Sequence, residues 1–190
     1  KGKIAQRHYY VLMRPALIEA MEEFTRKTGR RYGLVDSYRL EDADYAIIGL
    51  GSMMETAQTS VDYIREEMGI RVGVLHVTSY RPFPGPEVLR ALANVKAFTV
   101  MERMDDPLAP ANPLMRDIKT AFVDAQLNLE DYRNAGIRAG KLPRMVQCSA
   151  GLGSRDVRAG HFIAVVQNMK AAVEGREYKV VANLPDYMAV

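Results

Sequence analysis

The apolar positions along the chain change period several times, and each change marks an element. Between Pro15 and Thr28, Ala16, Leu17, Ala20, Met21 and Phe24 recur at the i, i+3, i+4 spacing of one helical face, and Gly29 supplies a stop. Arg31 to Tyr38 is compatible with a short strand, and Tyr45 to Leu50 is an almost unbroken apolar run of strand length. A helix follows to Met68, with Ala57, Val61 and Ile64 inward. Ser52 and Glu55 have the spacing of a capping box at its start, and Gly69 ends it. Val72 to Val77 is again apolar throughout, the signature of a strand buried on both faces of a parallel sheet. Then come a short helix (Pro86 to Ala93), a strand (Ala97 to Met101) and a proline-interrupted loop (Glu102 to Pro113). A helix with Leu114, Ile118, Ala121 and Phe122 on one side spans Leu114 to Ala125. Asn128 to Leu142 is polar and gives no firm assignment; Pro143 to Cys148 reads as the last strand and Ala159 to Val173 as the last helix.

Strands and helices thus alternate, which predicts an α/β fold: a three-layer αβα sandwich around a mostly parallel sheet. Residues 1–174 are read as one domain, with an N-terminal helix over 15–28 and a core over 32–173. Residues 175–190 are expected to be a tail with no core of its own. No internal repeat or low-complexity tract interrupts this order.

Composition narrows the function classes. The chain has 190 residues, 48% of them hydrophobic and 26% charged, with a net charge of +3. Cations and anions are interleaved, so no basic stripe for nucleic acid stands out. No apolar run approaches the roughly 18 residues that span a bilayer, and Lys1 to Gln6 has no signal-peptide core. Lacking an initiating Met, the chain is expected to start mid-protein or after a removed tag. Cys148 is the only cysteine. It cannot form an internal disulfide, which fits the cytoplasm, and it cannot alone hold an iron–sulfur cluster, which takes about four thiolates. Its place in a strand predicts a buried structural role.

Candidate chemistry gathers just beyond the strand ends, where open α/β sheets place ligands. Gly49-Leu50-Gly51-Ser52 is half of a dinucleotide fingerprint, but the third glycine is missing from Gly49-Leu50-Gly51-Ser52-Met53-Met54, Glu55 in the first helical turn would repel phosphate, and no acidic residue follows the next strand to hold a ribose. It is either a tight strand-to-helix turn or an anion or partner contact at Gly51 and Ser52. In Tyr80-Arg81-Pro82-Phe83-Pro84, Arg81 either grips an anion bidentately or ties neighbouring loops together. Glu102-Arg103-Met104-Asp105-Asp106-Pro107 clusters carboxylates without the spacing of a hard-cation site. His8, His76 and His161 form no ligand pair, so no metal site is expected.

Several blocks, in order, resemble the 2-oxoacid:ferredoxin (or flavodoxin) oxidoreductase family, typified by pyruvate:ferredoxin oxidoreductase. They are Thr28-Gly29-Arg30-Arg31-Tyr32; Asp44 to Ser52 with Glu55-Thr56 and Val61-Asp62-Tyr63; Val72 to Leu75 with Tyr80 to Pro84; Glu102-Arg103 with Pro107 and Pro113-Leu114; and Gly151-Leu152-Gly153-Ser154-Arg155-Asp156. The resemblance implies the family's second domain, like the transketolase C-terminal domain in fold, and a non-catalytic role in supporting the assembly. For the full enzyme it implies thiamine diphosphate, magnesium, iron–sulfur clusters and coenzyme A, with ferredoxin or flavodoxin reached through the complex. The partners of this chain would be other domains or subunits. No catalytic or cofactor residue carries over. The contact residues expected are Gly51, Ser52, Arg81, Glu102 and Arg103. Glu102 stands for the family's usual Asp, Met104-Asp105-Asp106 for Thr-Lys-Glu, and Leu108 for Gly. The alternatives are the C-terminal domain of another thiamine enzyme, of transketolase or deoxyxylulose phosphate synthase type, and a free-standing anion-binding module.

Overall fold

The fold is known from a computed structural model that describes residues 1–128, 130–133, 135–136 and 142–184. Strands β1 (Val35–Tyr38), β2 (Tyr45–Gly49), β3 (Val72–Val77), β4 (Ala97–Glu102), β5 (Arg144–Ala150) and β6 (Val181–Leu184) form one sheet in the order β1-β3-β2-β4-β5-β6. All neighbours are parallel except β1, which runs antiparallel to β3 at one edge. Every residue of β2 and β4 is buried, as expected of strands covered on both faces, and β4 carries two polar residues, Thr99 and Glu102, into that interior.

Helices supply the two cover layers. On one face α2 (Met53–Met68) and α5 (Ala159–Val173) enclose a core of Ile47, Val74, Met101, Cys148, Ile64 and Phe162. On the other, α3 (Gly85–Leu92) and α4 (Pro113–Gln126) close over Ile48, Leu75, Phe98 and Val100. There Phe98 and Phe122 stack at 5.8 Å with ring planes 11° apart, a favourable offset arrangement for two buried rings. The predicted αβα sandwich is therefore present.

Four expectations change. The N-terminal helix α1 runs from Gly2 to Thr28 rather than from Pro15, and none of its residues is buried. The face that meets the rest of the chain holds Arg14, Leu17, Ile18, Met21 and Thr25, each half-buried, while Ala16 and Ala20 face solvent and Phe24, 43% exposed, touches only Tyr32 among the described rings. The helical period was legible, but which face packs was not. The expected capping box at α2 is also missing. Ser52 already has helical dihedrals (φ −64°, ψ −20°), and its side chain caps nothing; a capping hydroxyl needs an extended residue at that position. The chain turns instead at Gly51, in the left-handed region at φ 74°. The third change is at the edge strand: of Arg31 to Tyr38, only Val35–Tyr38 is strand. Finally, the expected tail contributes β6, which pairs with β5 from Gln147↔Val181 to Ala150↔Leu184. Within the polar segment, Glu130–Tyr132 forms one 3-10 turn. Residues 129, 134 and 137–141 of that segment, and 185–190 of the tail, lie outside the described residues.

Gly73 shows how closely β3 is approached. A Cβ there would lie 2.5 Å from the Arg39 carbonyl oxygen and 2.7 Å from Leu40 Cδ2. Gly73→Ala is expected to destabilise the fold by about 1–3 kcal/mol through forced backbone movement, read as a lower midpoint in urea denaturation.

Candidate functional site

Because β3, β2 and β4 are adjacent and parallel, their C-terminal ends share one edge of the sheet. Gly51 and Ser52 follow β2, Arg81 follows β3, and Glu102 and Arg103 close β4. The topology brings all five expected contact residues to that edge, but in different states.

Glu102 is turned inward and is only 6% exposed. Its Oε1 accepts a hydrogen bond from the Leu114 amide at 2.8 Å and its Oε2 one from the Met115 amide at 3.3 Å. A carboxylate thus meets two otherwise unpaired donors at the positive end of α4. Desolvation raises its pKa, and the two amide bonds pull against that rise. With both oxygens engaged, Glu102 anchors a helix and is not free to meet a partner. Arg103 is exposed and reaches sideways, its guanidinium donating to the Arg155 carbonyl at 2.9 Å. Gly151 is constrained by that crossing: its φ is 68°, and a Cβ there would lie 2.9 Å from Arg103 Nε.

Arg81 lies over the Tyr80 ring at 4.1 Å, pairs with Asp117 at 2.9 Å and donates to the Tyr80 carbonyl at 2.8 Å. Of the two readings of Arg81, the geometry is that of a tie between the post-β3 turn and α4. Gly51 has open space where a side chain would be, and Ser52 is exposed. These two remain the bare part of the edge.

Sequence reasoning missed the residue that organises this edge, Asn112. It is fully buried. Its amide nitrogen donates to Gln147 Oε1 at 2.7 Å, and its Nδ2 to the Met104 carbonyl at 3.0 Å and Ser149 Oγ at 3.1 Å. Its Oδ1 accepts from the Asp106 amide at 3.0 Å, and Ser149 Oγ donates onward to Asp105 Oδ1 at 2.9 Å. Asp106 also pairs with Arg116 at 3.2 Å. The available signal was Asn112-Pro113, an asparagine before a proline at a helix start. It marks the boundary and not the buried hub. The side chain of Asn112 makes no cap bond and is spent on the loop and β5.

The chemistry on offer is limited. Among the described residues no three of His, Cys, Asp and Glu come together to hold a metal. Cys148 is buried, and desolvation pushes its thiol up to about 12, far from the thiolate that ligation or attack requires. These residues do not fit a magnesium–diphosphate clamp or a cluster.

Residues 43–162 match the family model described as pyruvate:ferredoxin oxidoreductase core domain II. The chain belongs to that family. Its relatives include a probable pyruvate-flavodoxin oxidoreductase of Escherichia coli, 34% identical over 81% of this chain and 12% of that protein. The pyruvate:ferredoxin oxidoreductase of Moorella thermoacetica is 29% identical over 95% of this chain and 14% of its own length. The ketoisovalerate oxidoreductase subunit VorA of Pyrococcus horikoshii is 31% identical over 80% of this chain and 35% of the subunit. A solved 2-oxoglutarate:ferredoxin oxidoreductase from Magnetococcus marinus shares the fold, with a TM-score of 0.50 at 16% identity over 73% of this chain and 20% of that one. The core domain II chain thus spans about one seventh of the length of the longer relatives it matches.

Two substitutions separate architecture from surface on this edge of the domain. Asn112→Ala, which leaves buried partners unpaired, is expected to cost about 2–4 kcal/mol, whereas Arg81→Ala, removing a pair whose arginine is 60% exposed, should cost less than about 1 kcal/mol. Thermal and urea unfolding of the two variants measures both. Glu102 also sets a pH dependence. A carboxyl whose folded pKa is raised holds its proton longer in the folded state, so its contribution to stability is full below the ordinary value of 4.5 and falls as pH rises through the raised one. Glu102→Gln should remove that decline from the pH profile of the unfolding free energy.

Proposed function

We propose that this chain is the non-catalytic core domain II of a thiamine diphosphate-dependent 2-oxoacid:ferredoxin oxidoreductase. The full enzyme would convert a 2-oxoacid, coenzyme A and oxidised ferredoxin or flavodoxin to acyl-coenzyme A, carbon dioxide and the reduced carrier. Thiamine diphosphate, magnesium and iron–sulfur clusters would be held by other parts of that enzyme. This chain would buttress the thiamine-binding domain and present its strand-end loops to neighbouring domains or subunits, in the cytoplasm.

The observation that carries this reading is how the strand-end edge uses its functional groups. Glu102 holds the start of α4, Arg81 pairs with Asp117, and Asn112, Gln147, Ser149 and Asp105 are bonded to one another or to the loop. An active site needs groups poised toward a substrate. Here they are consumed in holding loops, which is what a scaffold requires. The relatives matched along this chain are named as oxidoreductases of pyruvate and ketoisovalerate, and they extend far beyond it.

The test is to purify the native protein from its source through a tag or antibody on this chain, then measure intact mass, iron, thiamine diphosphate and 2-oxoacid-dependent reduction of ferredoxin. A larger species carrying both cofactors and the activity is expected, while the 190-residue chain alone, given thiamine diphosphate, magnesium and coenzyme A, should turn nothing over. A bare species near 21.3 kDa would overturn the assignment.

A further inference from the structure

The largest concentration of exposed apolar side chains lies not on the sheet edge but on the first half of α1. Ile4, Tyr9, Tyr10, Val11, Leu12 and Met13 are between 47% and 79% exposed. From Arg14 onward the helix is tied to the fold: Arg14 pairs with Glu87 of α3 at 2.5 Å, Phe24 meets Tyr32 edge to face at 5.5 Å, and Ile18, Met21 and Thr25 line a groove shared with the segment before β1.

The pattern says what kind of cover this half lacks. Successive helical residues are about 100° apart, so the five consecutive residues from Tyr9 to Met13 put apolar groups on every side of the helix. A helix lying on a membrane surface has one apolar face and one polar face. A helix apolar all round is one that is enclosed. A symmetric pair of α1 helices would cover one side of each and leave the other wet. Charge adds a second condition. Lys1, Lys3 and Arg7 are basic, Arg14 is already paired with Glu87, and the first acidic residue of the helix is Glu19. A cleft that receives this half would therefore have an acidic rim. The relatives point to where such a cleft is. The match to the Moorella thermoacetica enzyme takes in 95% of this chain, hence most of the 27-residue α1, inside a protein about seven times as long.

We infer that Ile4 to Met13 of α1 is a docking plug, enclosed in an acid-rimmed apolar cleft formed by other parts of the oxidoreductase. This rests on the function proposed above. Seated there, the plug fixes where core domain II sits in the assembly, while the rest of α1 joins it to α3 through the Arg14–Glu87 pair.

Amide hydrogen exchange decides the matter, measured on the 190-residue chain and on the complete thiamine diphosphate-containing enzyme isolated through it. The amides of Ile4 to Met13 should exchange about 100-fold more slowly in the enzyme, with Phe98 to Met101 in β4 unchanged. The double variant Val11→Asp, Leu12→Asp should recover about tenfold less thiamine diphosphate per chain, while the melting temperature of the isolated chain stays the same. Fast exchange of this segment in the enzyme overturns the inference. So does protection that already appears in the isolated chain together with a doubled mass, which assigns the cover to a second copy. Protection gained only on phosphatidylglycerol vesicles, and not on phosphatidylcholine, overturns it in favour of an anionic lipid surface. Failure to find any thiamine-containing species with the chain overturns the functional reading itself, and that result is distinct from an intact enzyme whose α1 remains exposed.

Discussion

A sheet covered by helices on both faces has no water along its strands, so any polar group carried into its C-terminal edge must find a partner inside the protein. Asn112 is where this chain meets that demand. One side chain and its own amide link the loop after β4 to Gln147 and Ser149 of β5, and the same loop returns into α4, whose first amides are held by Glu102. Arg103 to Asn112 has no regular structure and contains two prolines, yet its course is fixed at Met104, Asp105, Asp106 and Asn112. Remove the hub and several buried donors and acceptors lose partners together, which is why the network holds or fails as a unit.

The opposite edge is built differently. There Arg65 gathers the carbonyls of Val72 and Arg39 with the carboxylate of Asp42, and Asp44 takes both Arg71 and Lys96. Each of these pairs joins a largely buried member, Arg65 or Asp44, to a partner more than half exposed, where solvent screens the attraction. The two ends of the sheet thus divide the work. Buried hydrogen bonds hold the C-terminal edge, while ion pairs nearer the solvent hold the N-terminal edge. The apolar surface left unsatisfied is set apart on α1, on the element that shares least of the core.

What the sequence determined by itself was whatever depends on local period and local chemistry. Largely apolar runs of strand length gave β2, β3 and β4, because a strand buried on both faces has little room for polar side chains. The 3.6-residue spacing gave α2 and α4 with their inward residues Ala57, Val61, Ile64, Leu114, Ile118, Ala121 and Phe122, and the ordered blocks gave the family. The tertiary structure alone decided everything that depends on a partner distant in sequence. β6 exists because Val181–Leu184 meets β5, and α1 buries nothing because only part of one face finds a surface to pack on. Glu102, expected to reach outward, turned in because the amides of Leu114 and Met115 arrive beside it once α4 packs on the sheet. Asn112 became a hub because Gln147 and Ser149, some 35 residues further on, lie across from it in the next strand. A side chain's neighbours along the chain fix its conformation, but its role follows from neighbours that only the closed fold supplies.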